Sequence, residues 1–271
     1  MAQAAPEYFG SPAQIAVLER GHALFELLQG NSKVSCHGRV VGLVTLEENS
    51  LNLLARFALL QGSTHIALVR DYQIKDVLEN AATASLNPVN YARWEITTDT
   101  LYRTEAALAP LSLPEGVTLQ TLTPDTPDVL IRSFADNALA CGVLPAWRSA
   151  HTGQALRSRT LVAVHGGSEV VASAYAAAYI TGDSDRARQE CFWGMLTTHP
   201  DWRGTGLSTL LGGSLLLQMR DEFGFSQFYT GVEPGNAPSE AVCSRLGLRT
   251  NGNRIVTLAD ATRLPGGRMT K

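Results

Sequence analysis

The chain predicts an α/β fold, and three observations carry that expectation. Strand-like and helix-like segments alternate through both halves of the sequence. Residues 191–198 (CFWGMLTT) form an almost uninterrupted apolar run, the pattern of a strand covered on both faces. That run passes through a glycine-containing turn into residues 207–223, where Leu207, Leu210, Leu211, Leu215 and Met219 recur at helical spacing.

Taken in order, residues 12–28 read as a helix. Residues 39–46, 64–69 and 91–97 read as strands separated by helices at 51–60 and 73–82. Residues 108–115, with two prolines, form the natural boundary between a first module (residues 1–110) and a second (residues 115–262). Residues 117–122 alternate as a strand after the Pro114-Glu115-Gly116 turn. Thr126-Pro127-Asp128 then has the makings of a helix start: a hydroxyl cap, a first-turn proline and an acid near the positive helix end. This helix is expected to reach Ala140, with Gly142 as its stop, and a short helix falls between residues 145 and 156. Residues 160–164 and 169–179 are strands joined by His165-Gly166-Gly167, and the polar stretch 182–188 reads as a loop. After the long helix stopped by Gly224 come a strand at 228–232, a short helix at 238–246 ended by Gly247, and a last strand at 254–258. The tail LPGGRMTK is expected to fray. The strand-helix-strand-helix-strand order of residues 39–97 matches that of residues 191–258, in order and length but not in residues.

The chain has 271 residues, 45% apolar and 17% charged, with 22 Lys+Arg against 25 Asp+Glu. At roughly 100–200 residues per domain this is one large domain or two smaller ones, with ample material for a core. A charge of −3 argues against a nucleic-acid groove binder, which carries a basic patch. No apolar run reaches the roughly 18 residues of a membrane helix, and MAQAAPEYFG lacks the charged start and apolar centre of a signal peptide. A soluble, cytoplasmic protein without membrane or nucleic-acid partners is expected. Cys36, Cys141, Cys191 and Cys243 form no CxxC pair, and the six histidines form no HxxxH, so neither a metal site nor a disulfide framework is expected.

The strongest chemical signal is Arg203-Gly204-Thr205-Gly206-Leu207 at a strand-to-helix junction. The first turn of a helix points unpaired N–H groups outward and carries partial positive charge. Glycines let that backbone approach an anion, which makes a cradle for phosphate or pyrophosphate, and Arg203 can add a charge-assisted contact. These residues alone read equally as a plain turn and helix start. No Lys follows, so this is not the loop of nucleotide hydrolases. Thr209 stands where a dinucleotide fingerprint needs its third glycine.

The wider pattern, residues 200–207 between the apolar strand and the long helix, resembles the GNAT acetyltransferase superfamily. There a V-x-P-x-x-R-G-x-G-[IL]-G segment holds the coenzyme A pyrophosphate. A second family segment, N-x-x-A-x-x-[LF]-Y-x-x-x-G-F, is matched in register by Asn236, Ser239, Val242, Leu246, Gly247 and Leu248. The resemblance covers about residues 115–259. Three positions depart from it: Ser208 replaces a glycine, Thr198 a valine, and Cys243 stands where many members carry a tyrosine.

The resemblance implies a central mixed β-sheet flanked by helices, with a smaller N-terminal α/β module beside it. It implies acetyl transfer from acetyl-CoA to a primary amine of a small molecule or protein, by direct attack in a ternary complex and without metal. Backbone groups of Leu196, Thr197 and Thr198 would pair with the pantetheine arm. Arg203, Gly204, Thr205, Gly206, Leu207, Ser208 and Asn236 would complete the cofactor site. Cys243 is a candidate acid for the departing thiolate or a small core residue. Candidate bases are Glu233, Glu190, His199 and Asp136, with catalysis through water, without a dedicated side chain, also open. Trp147, Tyr175, Tyr179 and Trp193 line the acceptor pocket or fill the core. A catalytically silent CoA-binding sensor or scaffold, and more remotely a dinucleotide-dependent oxidoreductase, are the competing readings. The N-terminal half is either a GNAT-like module that has lost its phosphate loop or an unrelated cap. Its Glu47-Glu48-Asn49-Ser50 segment stands at the loop position, and its two acids would repel a pyrophosphate. Such a module would extend the sheet, shape the acceptor pocket or form the face of a homodimer.

Overall fold

A computed structural model describes residues 6–264. The expectation for the tail therefore lies, beyond Leu264, outside the described residues. The chain runs α1 (Pro12–Leu27), β1 (Val34–Cys36), β2 (Val41–Thr45), α2 (Ser50–Gln61), β3 (Ser63–Val69), α3 (Ile74–Thr83), β4 (Asn87–Thr97) and α4 (Tyr102–Leu108). It continues through β5 (Val117–Thr121), α5 (Asp128–Ala140), α6 (Arg148–His151), β6 (Ser158–His165), β7 (Glu169–Ala177), α7 (Asp185–Gln189), β8 (Glu190–Thr198), α8 (Leu207–Phe223), β9 (Gln227–Val232), α9 (Ala237–Leu246) and β10 (Arg249–Ala259).

Local chemistry accounts for most of the boundaries. Ser11 Oγ accepts from Gln14 N while Gln14 Oε1 accepts from Ser11 N, a reciprocal cap with Pro12 in the first turn of α1. Asn236 caps α9 and Gly247, at φ +97°, ends it. Three helical or strand segments escaped the sequence reading: β1, α4, and α7, which Ser184 starts inside the expected polar loop. Thr126 is not the cap of α5: its hydroxyl accepts from Thr123 N at 2.8 Å and closes the preceding turn, and Pro127 occupies the cap position. The strand expected at 91–97 begins at Asn87. It admits Pro88 because β9 joins it only from Ala92 on.

All ten strands form one mixed sheet, in the order β1-β2-β3-β10-β4-β9-β8-β7-β6-β5. Only β2 with β3 and β8 with β9 run parallel. The last strand, β10, lies between two strands of the N-terminal half, antiparallel to both. The order is symmetric about the β10–β4 pair: β3 then β2 on one side, β9 then β8 on the other.

Helices cover both faces. Leu161, Ala163 and Val171 pack with Leu211, Leu215 and Met219 of α8. Their alternates Val162, Val164 and Val170 pack with Leu130, Ile131 and Phe134 of α5. A strand buried on both sides reads as a continuous apolar run for this reason. Gly212 brings α8 onto the sheet, since a Cβ there would stand 2.6 Å from the Trp193 ring.

Candidate functional site

The site forms where two parallel strands separate. β8 pairs with β9 through Glu190, Cys191 and Phe192 only, while β9 continues along β4 to Val232. From Trp193 onward β8 follows β7, and a cavity of about 240 Å³ opens between β8 and β9. Within it β8 carries a bulge. Ser173 pairs with Thr197 and Tyr175 with Gly194, so Met195 and Leu196 together face one residue of β7. Met195 sits at φ +50°, a left-handed conformation unusual for a side chain of its type. Such a bulge leaves backbone groups of the extra residue out of the ladder.

The strand's far end leads into the glycine loop. A 3-10 turn (Pro200–Trp202) precedes Gly204 at φ +79° and Gly206 at φ +85°, the residue before α8. A Cβ at Gly204 would meet nothing within 4 Å, so that glycine answers to backbone conformation and open approach, not packing. Thr205 Oγ1 donates to Trp202 O at 2.6 Å and holds the turn. The first N–H groups of a 17-residue helix are thus left without partners in the helix itself, and residues 197–208, Arg203 to Ser208 among them, lie outside the cavity lining. Thr198 and Ser208, two departures from the family pattern, bond each other: their hydroxyl oxygens lie 2.7 Å apart and tie strand end to helix start.

A buried polar network pins the point of separation. Glu190 accepts from Arg93 Nη2 at 3.2 Å, Arg186 Nε at 2.7 Å and the Tyr179 hydroxyl. Arg93 also bonds Glu95 and Ala67 O, and its guanidinium lies 3.7 Å from the centre of the Tyr229 ring. Burial opposes the Arg93 charge, but the fields of Tyr229, Tyr179, Glu95 and Glu190 raise its pKa on balance. Tyr229 Oη lies 2.8 Å from His37 Nε2, and the His37 ring packs against Phe192 and His65. Burial, with His65, Arg39 and Arg93 nearby, holds His37 well below the ordinary imidazole range. His65, bonded to Ser35 Oγ at 2.8 Å, is lowered by burial to about 4. Both imidazoles are neutral at physiological pH.

The predicted site residues divide by position. Leu196, Glu233, Asn236, Cys243 and Trp193 line the cavity. Glu233 is the one carboxylate among the described lining residues. Asn236 also has a structural task, its side chain accepting from Ser239 N at 3.4 Å. Cys243 is buried, and burial pushes its thiol up to about 12. Thr197 points away from the cavity: its hydroxyl meets Asn137 Nδ2 and Ser173 Oγ. Glu190 is engaged by the three donors above. His199, which accepts from Asp201 N, sits in the loop, and Asp136 is exposed on α5. Trp147 and Tyr175 lie in the core, and Tyr179 belongs to the Glu190 network.

The N-terminal half supplies the opposite cavity wall, one of the roles expected of it, through residues that nothing in the sequence singled out. His37, Arg39, Ser63, His65 and Tyr91 line it, joined by Thr257 of β10. The only available signal was the adjacency of Cys36 and His37, and nothing local relates it to residue 229. Among the described residues no group of three or more His, Cys, Asp or Glu could hold a metal ion, and no helix is long and apolar enough to cross a membrane.

Comparison with known proteins places this geometry. Residues 133–248 match the model of the acetyltransferase (GNAT) family. The comparison with curated proteins found no match. Among solved structures, a tandem GNAT protein from the clavulanic acid biosynthesis pathway is 18% identical, with 79% of this chain and 70% of that one covered and a TM-score of 0.52. A GCN5-related N-acetyltransferase from Kribbella flavida is 14% identical over 91% and 95% of the two chains, with a TM-score of 0.53. A GNAT-family protein from Novosphingobium aromaticivorans is 15% identical over 92% and 98%, with a TM-score of 0.50. At these identities the likeness concerns the fold.

Proposed function

Residues 133–248 belong to the GNAT acetyltransferase family, and from that premise we propose that the protein transfers an acetyl group from acetyl-CoA to a primary amine in a ternary complex. The observation that carries this reading is the separation of β8 from β9 beside the glycine-capped start of α8. The free edge of β8 at Leu196–Thr198 would take the pantetheine arm as an added strand. The amides of residues 204–208, with Arg203, would hold the pyrophosphate. Released N–H groups at the Met195–Leu196 bulge would face the thioester oxygen and stabilise the charge it develops.

In the reaction the amine nitrogen bonds to the thioester carbon, the carbon–sulfur bond breaks, and the nitrogen gives up a proton. His37 is the proposed proton acceptor, directly or through water. It is held neutral at the cavity wall, and the nitrogen of a tetrahedral adduct is acidic enough for a weak base. Glu190 then serves to pin the strands, not to take the proton. With its thiol pushed up to about 12, Cys243 is a poorer acid than the coenzyme thiol it would protonate, so the leaving thiolate takes its proton from solvent.

The symmetric strand order supports reading residues 1–110 as a GNAT-like module without a phosphate loop. Glu47 in the corresponding segment pairs with Lys33.

The test is a thermal shift with acetyl-CoA and with NAD(P), followed by thiol release over an amine panel. Acetyl-CoA should raise the midpoint, Gly206→Val should abolish the rise, and thiol release should require an amine. A rise with NAD(P) alone, or saturable acetyl-CoA binding with no thiol release from any amine, refutes the proposal.

A further inference from the structure

His37 and Tyr229 come from the two halves of the chain, 192 residues apart, and meet with His37 Nε2 2.8 Å from the Tyr229 hydroxyl oxygen. The His65 and Phe192 rings pack on the imidazole at centroid distances of 4.5 and 4.3 Å, with the Tyr179 ring at 5.7 Å, so the plane of the ring is held. Nδ1 bonds no described residue and is not walled off, which leaves it open to the cavity that His37 lines. Tyr229 is buried and is not among the described residues that line the cavity. Its ring lies under the Arg93 guanidinium at 3.7 Å and edge-on to Tyr179 at 4.7 Å.

Which nitrogen carries the hydrogen decides what His37 can do. With it on Nδ1 the imidazole presents a donor to the cavity, and with it on Nε2 it presents a lone pair. Burial first, then Tyr179 and Glu190 against the opposing Arg93, hold the Tyr229 pKa well above the ordinary phenol range, so the group is a neutral phenol. A hydroxyl dipole orients in the field around it, and the Glu190 carboxylate draws the hydrogen of the Tyr229 hydroxyl, leaving the oxygen lone pairs for His37.

We propose that Tyr229 is a positioning residue, whose phenol oxygen accepts the Nε2–H of His37 and so keeps the Nδ1 lone pair toward the substrate amine. The inference rests on the reading of His37 as proton acceptor and adds what makes it one. In the step the amine nitrogen bonds to the thioester carbon, the carbon–sulfur bond breaks, and the nitrogen proton passes to Nδ1. The ring then carries a hydrogen on each nitrogen, and the bond from Nε2 to the Tyr229 oxygen becomes charge-assisted. It offsets part of the opposition to a charged ring from burial, His65, Arg39 and Arg93, which with Phe192, Tyr179 and Tyr229 are the groups around the imidazole. The thiolate takes its proton from solvent, and the imidazolium returns its own there. The N-terminal half thus supplies the base, and the C-terminal half orients it.

The experiment uses the full chain with 15N-labelled histidine, at about pH 7.5, where an unperturbed imidazole is neutral. The nitrogen shifts of His37, assigned by their loss in His37→Gln, should show Nε2 protonated and Nδ1 bare. In Tyr229→Phe, which keeps the ring and removes the oxygen, the two shifts should move toward each other as both tautomers become populated. In the thiol-release assay the same variant should lose about tenfold in kcat, with both KM values within about threefold, because the lost bond strengthens only as the ring gains charge. A cooperative urea unfolding transition shows that the variant folds. An Nδ1-protonated His37 in the wild type, unchanged shifts in the variant, or an unchanged kcat overturns the proposal and leaves the acyltransferase reading standing. A Tyr229-dependent Nε2–H tautomer without thiol release from any amine refutes acyl transfer, and the positioning role falls with it.

Discussion

Acidification should destabilise this protein well above the pH at which its carboxylates titrate, because several histidines are buried in neutral form. His151 lies under Phe134 and Tyr175 with Nδ1 2.8 Å from Thr160 Oγ1, and burial, reinforced by Arg39, lowers it to about 3. His65 is lowered by burial to about 4. In the unfolded chain both titrate near 6.5. Between those values the unfolded state binds protons that the native state refuses, so stability is complete above about pH 6.5. It is lost progressively as pH falls toward the native values. At pH 5 each residue has travelled about 1.5 units below its unfolded pKa, which at about 1.4 kcal/mol per unit costs about 2 kcal/mol. The pair therefore removes about 4 kcal/mol between pH 7.5 and pH 5, a large share of the 5–15 kcal/mol typical of a folded domain. His37, shifted the same way, adds to the loss. Urea unfolding followed by tryptophan fluorescence at the two pH values measures it. His151→Asn, which keeps a partner for Thr160, should cut the pH-dependent difference by about 2 kcal/mol. Equal stabilities at pH 5 and 7.5 in the wild type, or an undiminished difference in the variant, would refute the reasoning.

Three further outcomes are expected. Thr198→Val and Ser208→Gly should each cost about 1 kcal/mol by stranding a hydroxyl. The double variant should cost less than their sum, giving a coupling of about 1 kcal/mol in a double-mutant cycle by urea unfolding. Cys243→Ala should keep kcat within about threefold in the thiol-release assay, since a thiol at about 12 is no useful acid. A loss of a hundredfold or more would make it one. Glu190→Gln should lower unfolding stability by about 3 kcal/mol, because it leaves Arg93 and Arg186 with less compensating charge at a buried position. A change under 1 kcal/mol would show that Glu95 and Tyr229 suffice for Arg93.

Local chemistry made the β8–α8 segment legible. The run at residues 191–198, the turn around Gly204 and Gly206, and the spacing of α8 all act over a few residues, so their sequence carries their geometry. The same holds for Asn236 and Gly247 at the ends of α9. Met195 carried no such signal. Its positive φ arises because β7 gives one residue where β8 gives two, a property of a pair of strands and not of either sequence. Glu190 was visible as a carboxylate at a strand start. Its engagement by Arg93, 97 residues away, was not, because burial and ion pairing are decided by what folds against a residue.

From the amino-acid sequence alone follow the α/β class, the glycine-containing turn before the long helix and the likeness of the C-terminal half to a family of acyltransferases. Each depends on periodicity, caps and glycine conformations that neighbours in the chain impose. Only the tertiary structure decided that β10 enters between β3 and β4, and with it that residues of the N-terminal half wall the cavity. The reason is that Val256 and Leu258 of β10 bury their side chains with Leu43, Ile66 and Val69, contacts between distant parts of the chain that no short stretch of sequence contains.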